Sequence, residues 1–133
     1  MKWIDALPHQ PPMRLLEEVV EITPGESAVG RRIARPDDFY FQGHFPGDPV
    51  VPAVILVELI AQTGGLAVAR PRGLRVAALG SFKFPSAVRP GAMLEVRARV
   101  CGQLGGLYRI EGEVTADGCL AAAGSVTLTA ERP

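Results

Sequence analysis

Aromatic side chains are scarce in this 133-residue chain, at 6% of residues. A core must therefore rest mainly on Val, Leu, Ile and Ala. Cysteine is scarcer still. Cys101 and Cys119 form no CxxC motif and no Cys/His cluster at metal-ligand spacing, and both are expected to be reduced, partly buried, small apolar residues. Excess charge of either sign is missing as well. Fourteen basic and fourteen acidic residues cancel, so there is no basic footprint of a nucleic-acid binder. The opening Met1-Lys2-Trp3-Ile4-Asp5 lacks the charged-then-apolar layout of a signal peptide, which makes the cytoplasm the expected compartment. Repeats, low-complexity tracts and linkers are absent. The length fits one domain, 1–133, large enough to bury a core without staples.

One apolar run is long enough to raise the question of a membrane span. Pro52 to Ala69 approaches the required length, but it carries Glu58 near its centre, Gln62 one turn later, and Gly64-Gly65. A mid-span carboxylate costs ~3 kcal/mol on insertion scales, so a helix buried inside a protein is the better reading. Its apolar residues, including Val54, Ile55, Leu56, Val57, Leu59 and Ile60, go round most of the circumference, which predicts burial on most sides.

Around this helix the pattern is strand-like. Leu15 to Ile22 and Ser27 to Ala34 read as a hairpin turning at Thr23-Pro24-Gly25. After the helix, Leu74 to Phe84, Met93 to Cys101, Leu107 to Thr115 and Leu120 to Ala130 alternate or are β-branched. They are separated by Val88-Arg89-Pro90-Gly91, by Gly102 to Gly106, and by Ala116-Asp117-Gly118. Arg97 and Arg99 alternate with Val96, Ala98 and Val100, as on a sheet with one wet face. Two strands, one buried helix and four strands predict an α+β fold, an antiparallel sheet of about six strands wrapped round a long central helix.

Two residues carry the chemistry. His44 sits in a Pro/Gly/aromatic loop from Pro36 to Pro52, too long to be idle in a small domain. On its own it could equally be a solvated or backbone-bonded residue. Glu58 lies in an apolar helix, where a carboxylate is costly unless paired, neutral or functional. A carboxyl drawn out of water favours its neutral form and can act as an acid, and a neutral imidazole can act as a base. Removing water from a 3-hydroxyacyl thioester needs both: a base for the C2 proton and an acid for the C3 hydroxyl. The unpaired N–H groups at the helix start after Pro52 would hold the thioester oxygen.

Leu7-Pro8-His9, the run Phe41-Gln42-Gly43-His44-Phe45-Pro46-Gly47-Asp48-Pro49-Val50-Val51-Pro52, and Glu58-Leu59-Ile60-Ala61-Gln62 closely resemble the β-hydroxyacyl-acyl-carrier-protein dehydratases of type II fatty-acid synthesis. Lys83-Phe84 and Val88-Arg89-Pro90-Gly91 resemble them too, so the likeness spans nearly the whole chain. It implies a hot-dog fold and a homodimer, or a trimer of dimers, with His44 of one subunit facing Glu58 of the other. It implies a (3R)-hydroxyacyl chain on acyl carrier protein as substrate, His44 as the base and Glu58 as the acid, with no metal or organic cofactor. Glu rather than Asp at position 58 favours a plain dehydratase over a dehydratase/isomerase. Ala53, Phe45, Pro46, Gly47 and Gln62 would bind substrate, with Phe41 helping to shape the tunnel wall.

Gln62 could bond Glu58 or the chain, or simply be a satisfied buried amide. His9 is expected to fix the N-terminal segment near the site. Lys83, Arg70, Arg72 and Arg75 are candidates to meet an acidic carrier protein. Two positions depart from the family: Ala53 stands where it usually has Gly, and Ala92 where it has an acidic residue. Two other readings remain, a hot-dog thioesterase and a non-catalytic module binding an acyl chain or carrier protein. His44 argues against the first; His44 and Glu58 together argue against the second.

Overall fold

A computed structural model describes residues 3–68 and 73–130. Among the described residues, six strands and one long helix follow the expected order. They are β1 Glu18–Thr23, β2 Ser27–Ile33, α1 Ala53–Val68, β3 Leu74–Lys83, β4 Met93–Leu104, β5 Leu107–Ala116 and β6 Cys119–Ala130. Short 3₁₀ turns lie at Trp3–Ala6 and Phe39–Phe41. The strands form one antiparallel sheet in the order β1-β2-β4-β5-β6-β3. Helix α1 therefore carries the chain from β2 across the sheet to its far edge at β3.

The sheet curls round α1 because its inner face is apolar. Leu94, Val96, Ile110, Val114 and Val126 on the sheet and Leu59 and Ile60 on the helix are fully buried. Two bare backbone positions let helix and sheet approach closely. A Cβ on Gly112 of β5 would lie 2.5 Å from Ile60 Cγ2, and one on Gly64 of α1 would lie 2.8 Å from Ile110 Cγ2. Gly64, which looks out of place in a helix by propensity, is thus needed by the packing. The other face is polar: Arg97 lies across from Glu113, and Arg99 is ion-paired with Glu111 opposite it.

Several sequence readings need correction. The first strand begins at Glu18, not Leu15. Leu15 and Leu16 are buried, but the Leu15 N–H donates to the Gln62 side chain on the helix rather than to a neighbouring strand. The expected five-residue connection at Gly102 to Gly106 shrinks to Gly105-Gly106, because β4 continues to Leu104 past a bulge between Val100 and Gly102. Cys101 and Cys119 are free as expected, but exposed rather than partly buried. The helix spans Ala53–Val68; Ala69 lies outside the described residues. Its burial is incomplete along one stripe. Ala53 and Val54 are exposed and Val57 and Glu58 are half-buried. On β3, Val76 and Leu79 are exposed too.

Replacing Gly112 by Ala should push the helix off the sheet. We expect a loss of about 1–3 kcal/mol, the range for overpacking a close-packed core, seen as a lower urea midpoint at unchanged slope. An unchanged midpoint would show that α1 can shift freely and that the close approach is not needed.

Candidate active site

The loop carrying His44 is tied down at both ends. At its start, Arg32 of β2 bonds Asp38 and reaches the Tyr40 hydroxyl at 3.2 Å, and Tyr40 donates to Asp38 at 2.6 Å. Arg32 also donates to the Leu15 carbonyl at 3.0 Å. Burial, and then the bond to Asp38, push the Tyr40 hydroxyl up to about 12. At the loop's end, the Val51 N–H donates to the Val88 carbonyl at 2.9 Å, and Arg89 pairs with Asp48. Gly43 and Gly47 have φ of +77° and +75°, a left-handed backbone that favours glycine. They turn the chain on either side of His44-Phe45-Pro46.

His44 is half-buried and its ring stacks on Phe45, with centroids 4.2 Å apart. Its Nδ1 lies 3.0 Å from the Val50 carbonyl. A carbonyl can only accept, so Nδ1 carries the proton. In the neutral ring, Nε2 therefore keeps a free lone pair. That is the tautomer a general base needs, and the loop's own backbone selects it.

Glu58 is held from the helix. The Gln62 amide, one turn on and 1% exposed, donates through Nε2 to Glu58 Oε2 at 2.8 Å and to the Met13 carbonyl at 2.7 Å. Its Oε1 accepts from the Leu15 N–H at 3.0 Å. Gln62 thus bonds Glu58 and the backbone of Met13 and Leu15, and it clamps residues 13 to 15 against α1. The Glu58 side chain is 26% exposed, so it is not swallowed by the core as its apolar helix suggested. It lines a cavity of about 190 Å³ together with Leu7, His9, Gln62, Leu66 and Leu128. His9 Nε2 lies 3.7 Å from Glu58 Oε2. Sequence reasoning placed His9 near the site but missed this contact, because no spacing rule connects residue 9 to a helix 49 positions on.

The structure separates the other expected site residues. No hydrogen bond or ion pair joins His44 to Glu58 within the chain, and His44, Phe45, Pro46, Gly47 and Ala53 do not line the Glu58 cavity; of the proposed substrate-binding group, only Gln62 does. Phe45, Pro46, Gly47 and Ala53 are exposed, while Phe41 is buried. Ala53 opens α1, where N–H groups have no preceding turn to bond. Arg75 and Lys83 are exposed on β3, with Arg75 at the cavity wall; Arg70 and Arg72 lie outside the described residues. The role of Tyr40 as a loop anchor had no signal beyond a polar aromatic in a functional loop. Among the described residues, no group of three or more His, Cys, Asp or Glu could hold a metal ion, and no helix is long and apolar enough to cross a membrane.

Two substitutions test these anchors. Gln62→Met keeps the length but leaves the Leu15 N–H and Met13 carbonyl unmet. It should cost about 2–4 kcal/mol in chemical denaturation; a loss under about 1 kcal/mol would mean the clamp is dispensable. Tyr40→Phe should cost about 1–2 kcal/mol. A group whose value rises on folding contributes stability fully present below its ordinary value of 10.0, and that contribution is lost as pH rises through about 12. The difference between wild type and Tyr40→Phe should therefore hold at neutral pH and shrink only above pH 10; shrinkage at lower pH would contradict the assignment.

Comparison with known proteins agrees with this architecture. Residues 7–125 match the FabA-like domain family. The curated 3-hydroxyacyl-acyl-carrier-protein dehydratase FabZ of Nitratidesulfovibrio vulgaris (strain DP4) is 35% identical over 128 residues, covering 91% of this chain and 83% of that protein. The protein of the same name from Polynucleobacter necessarius is 34% identical over 131 residues, covering 95% and 88%. Among solved structures, the dehydratase heterocomplex ApeI:P from Xenorhabdus doucetiae superposes with a TM-score of 0.83 at 18% identity, covering 99% of this chain and 92% of that one. A mutant of the phenylacetic acid degradation protein PaaI from Thermus thermophilus gives 0.71 at 21% identity, covering 92% and 100%. At those identities the structures speak for the fold alone, which is the hot dog. With a match over nearly its whole length and a helix-borne carboxylate fixed at a cavity, the chain belongs to the FabA-like family.

Proposed function

We propose that this protein is a (3R)-hydroxyacyl-acyl-carrier-protein dehydratase whose site is completed by a second copy of the chain. The observation that carries the reading is the Glu58 carboxyl, held by Gln62 at the wall of a cavity, in a chain about a third identical to curated dehydratases. The thioesterase and binding-module alternatives are not favoured, since these relatives are named dehydratases.

In the reaction, His44 Nε2 takes the C2 proton. The electron pair left on C2 forms the C2–C3 double bond, and the C3–O bond breaks. Glu58 gives its proton to the departing hydroxyl, which leaves as water. The N–H groups of Ala53 and Val54, which open α1 ahead of the first bond from the Ile55 N–H to the Pro52 carbonyl at 2.9 Å, stabilise the negative charge that builds on the thioester oxygen. Glu58 is reprotonated and His44 deprotonated to reset the pair. Two contacts support these roles: the loop carbonyl of Val50 leaves His44 Nε2 unprotonated in the neutral ring, and Gln62 orients the Glu58 carboxyl.

The dimer rests on three features of the single chain. His44 and Glu58 do not meet within it. Edge strand β3 presents Val76 and Leu79, 44% and 56% exposed, with Phe84 just beyond it, and bare apolar edges of this kind mark sites for a partner. Val54 at the helix start is 71% exposed. Pairing β3 with its copy would cover these groups and bring the second chain's loop toward Glu58. Arg75 and Lys83 on β3 suit an acidic, phosphopantetheine-bearing carrier protein. The exposed thiols of Cys101 and Cys119 suit a reducing compartment, and we place the protein in the cytoplasm.

The test follows the reverse reaction, hydration of a short trans-2-enoyl thioester on carrier protein and on coenzyme A, by loss of the enoyl absorbance. Thiol release is assayed in the same tubes. Wild type should add water. His44→Ala and Glu58→Gln should each lose activity by roughly 10²–10⁴-fold, the usual contribution of a positioned acid or base. Thiol release without hydration would replace the reading with a thioesterase; neither activity from a folded protein would leave a binding module.

A further inference from the structure

Glu58 has a second neighbour besides Gln62 that the dehydration scheme does not use. His9 sits on the N-terminal segment that Gln62 clamps to α1 through the Met13 carbonyl and Leu15 N–H. The Arg14 side chain fastens the segment again, donating to the His9 carbonyl at 2.9 Å and to the Leu7 carbonyl at 3.2 Å. His9 Nε2 faces Glu58 Oε2 at 3.7 Å. Both residues line one cavity.

The ring's far nitrogen settles which form faces the glutamate. Among the described residues, His9 Nδ1 is buried and has no hydrogen-bond partner. A proton on Nδ1, in either the cation or the Nδ1–H tautomer, would bury an N–H with nothing to accept it. Orphaned buried N–H groups are rarer than under-used acceptors. The remaining form carries its single proton on Nε2 and points a donor at Glu58.

Resting on the dehydratase reading, we propose that His9 is a positioning residue for Glu58: its Nε2–H closes onto Oε2 when substrate fills the cavity, so the transferable proton is confined to Oε1. The chemistry follows from the donors. The Gln62 Nε2 amide can only donate, and so can the His9 Nε2–H. With two donors on Oε2, that oxygen accepts in both charge states, and a proton on Glu58 has only Oε1 to occupy. The 3.7 Å separation is about half an ångström beyond hydrogen-bond range, and catalytic hydrogen bonds are often long before substrate is bound. Of the charged or titratable described residues, the cavity is lined by His9 from the N-terminal segment, Glu58 from α1 and Arg75 from β3; in the proposed dimer, the partner subunit's His44 faces it as well.

The test compares wild type with His9→Phe, which keeps a ring but no donor, and with His9→Gln, whose amide restores a donor near the Nε2 position. Two quantities are measured on the intact protein: kcat and KM for enoyl-thioester hydration across pH, and, with a saturated acyl thioester that cannot react filling the cavity, the ¹³C titration of the Glu58 carboxyl, assigned by its loss in Glu58→Gln. Hydration uses Glu58 as carboxylate, and a hydrogen bond to the charged form favours that form. His9→Phe should therefore lower kcat about tenfold with little change in KM. It should also move both the acid limb of the rate profile and the carboxyl titration to higher pH, with His9→Gln recovering most of each. If His9→Phe does not fold, His9→Gln and His9→Asn make the same comparison, since Asn is too short to reach Oε2. An unchanged titration and unchanged kcat in a folded variant would overturn the proposal and leave His9 a packing residue. A wild type that hydrates no enoyl thioester would overturn the dehydratase reading instead, and the carboxyl titration would still decide whether His9 bonds Glu58.

Discussion

The Gln62 amide is the constraint on which the site depends. It is 1% exposed, and a buried amide is tolerable only when its polar atoms are met. Its oxygen takes the Leu15 N–H, and its nitrogen serves the Met13 carbonyl and Glu58 Oε2. One side chain thus solves three problems. It satisfies backbone groups of a segment that has left the sheet, fastens that segment over the helix, and sets the orientation of the one carboxyl in an apolar helix. The cavity beside Glu58 has Ala6 to His9, earlier in the same N-terminal segment, as one of its walls.

The helix can play this part only because it lies close against the sheet. Gly64 over Ile110 and Gly112 under Ile60 remove the side chains that would hold them apart. The sheet is less complete than the helix contact suggests, since it curls over one side of α1 and leaves the Val54 stripe and the β3 edge bare. The proposed chemistry falls in two halves. The loop presents His44 with Nδ1 tied to Val50 and Nε2 free; the helix presents Glu58. Each half is preorganised, so bringing two copies together would assemble a site with little further ordering, which is where such sites gain most of their rate.

Much of this could be read from the sequence, for identifiable reasons. The helix and six strands follow from local periodicity, and the loop stood out because Gly, Pro and aromatics are dense around His44. Glu58 stood out because a carboxylate among Val, Leu and Ile is unfavourable without a reason. What escaped was set by long-range partners. Leu15 looks like the start of a strand by pattern, but its N–H goes to a helix side chain 47 residues away. Gly102 looked like a turn residue, yet a bulge absorbs it and β4 continues to Leu104. The proximity of His9 to Glu58 and the Arg32–Asp38–Tyr40 anchor arise from tertiary folding that no periodicity encodes.

In the proposed dimer, His44 and Glu58 meet only between two chains. The most direct test mixes His44→Ala and Glu58→Gln subunits, each inactive alone, after confirming that each folds and dimerises. Random pairing makes half of the dimers mixed, and each mixed dimer has one intact site of two. Roughly a quarter of the wild-type hydration rate should therefore return. A mixture that exchanges subunits and stays as inactive as its parents would contradict this pairing, and would place the two residues in separate functions rather than one shared site.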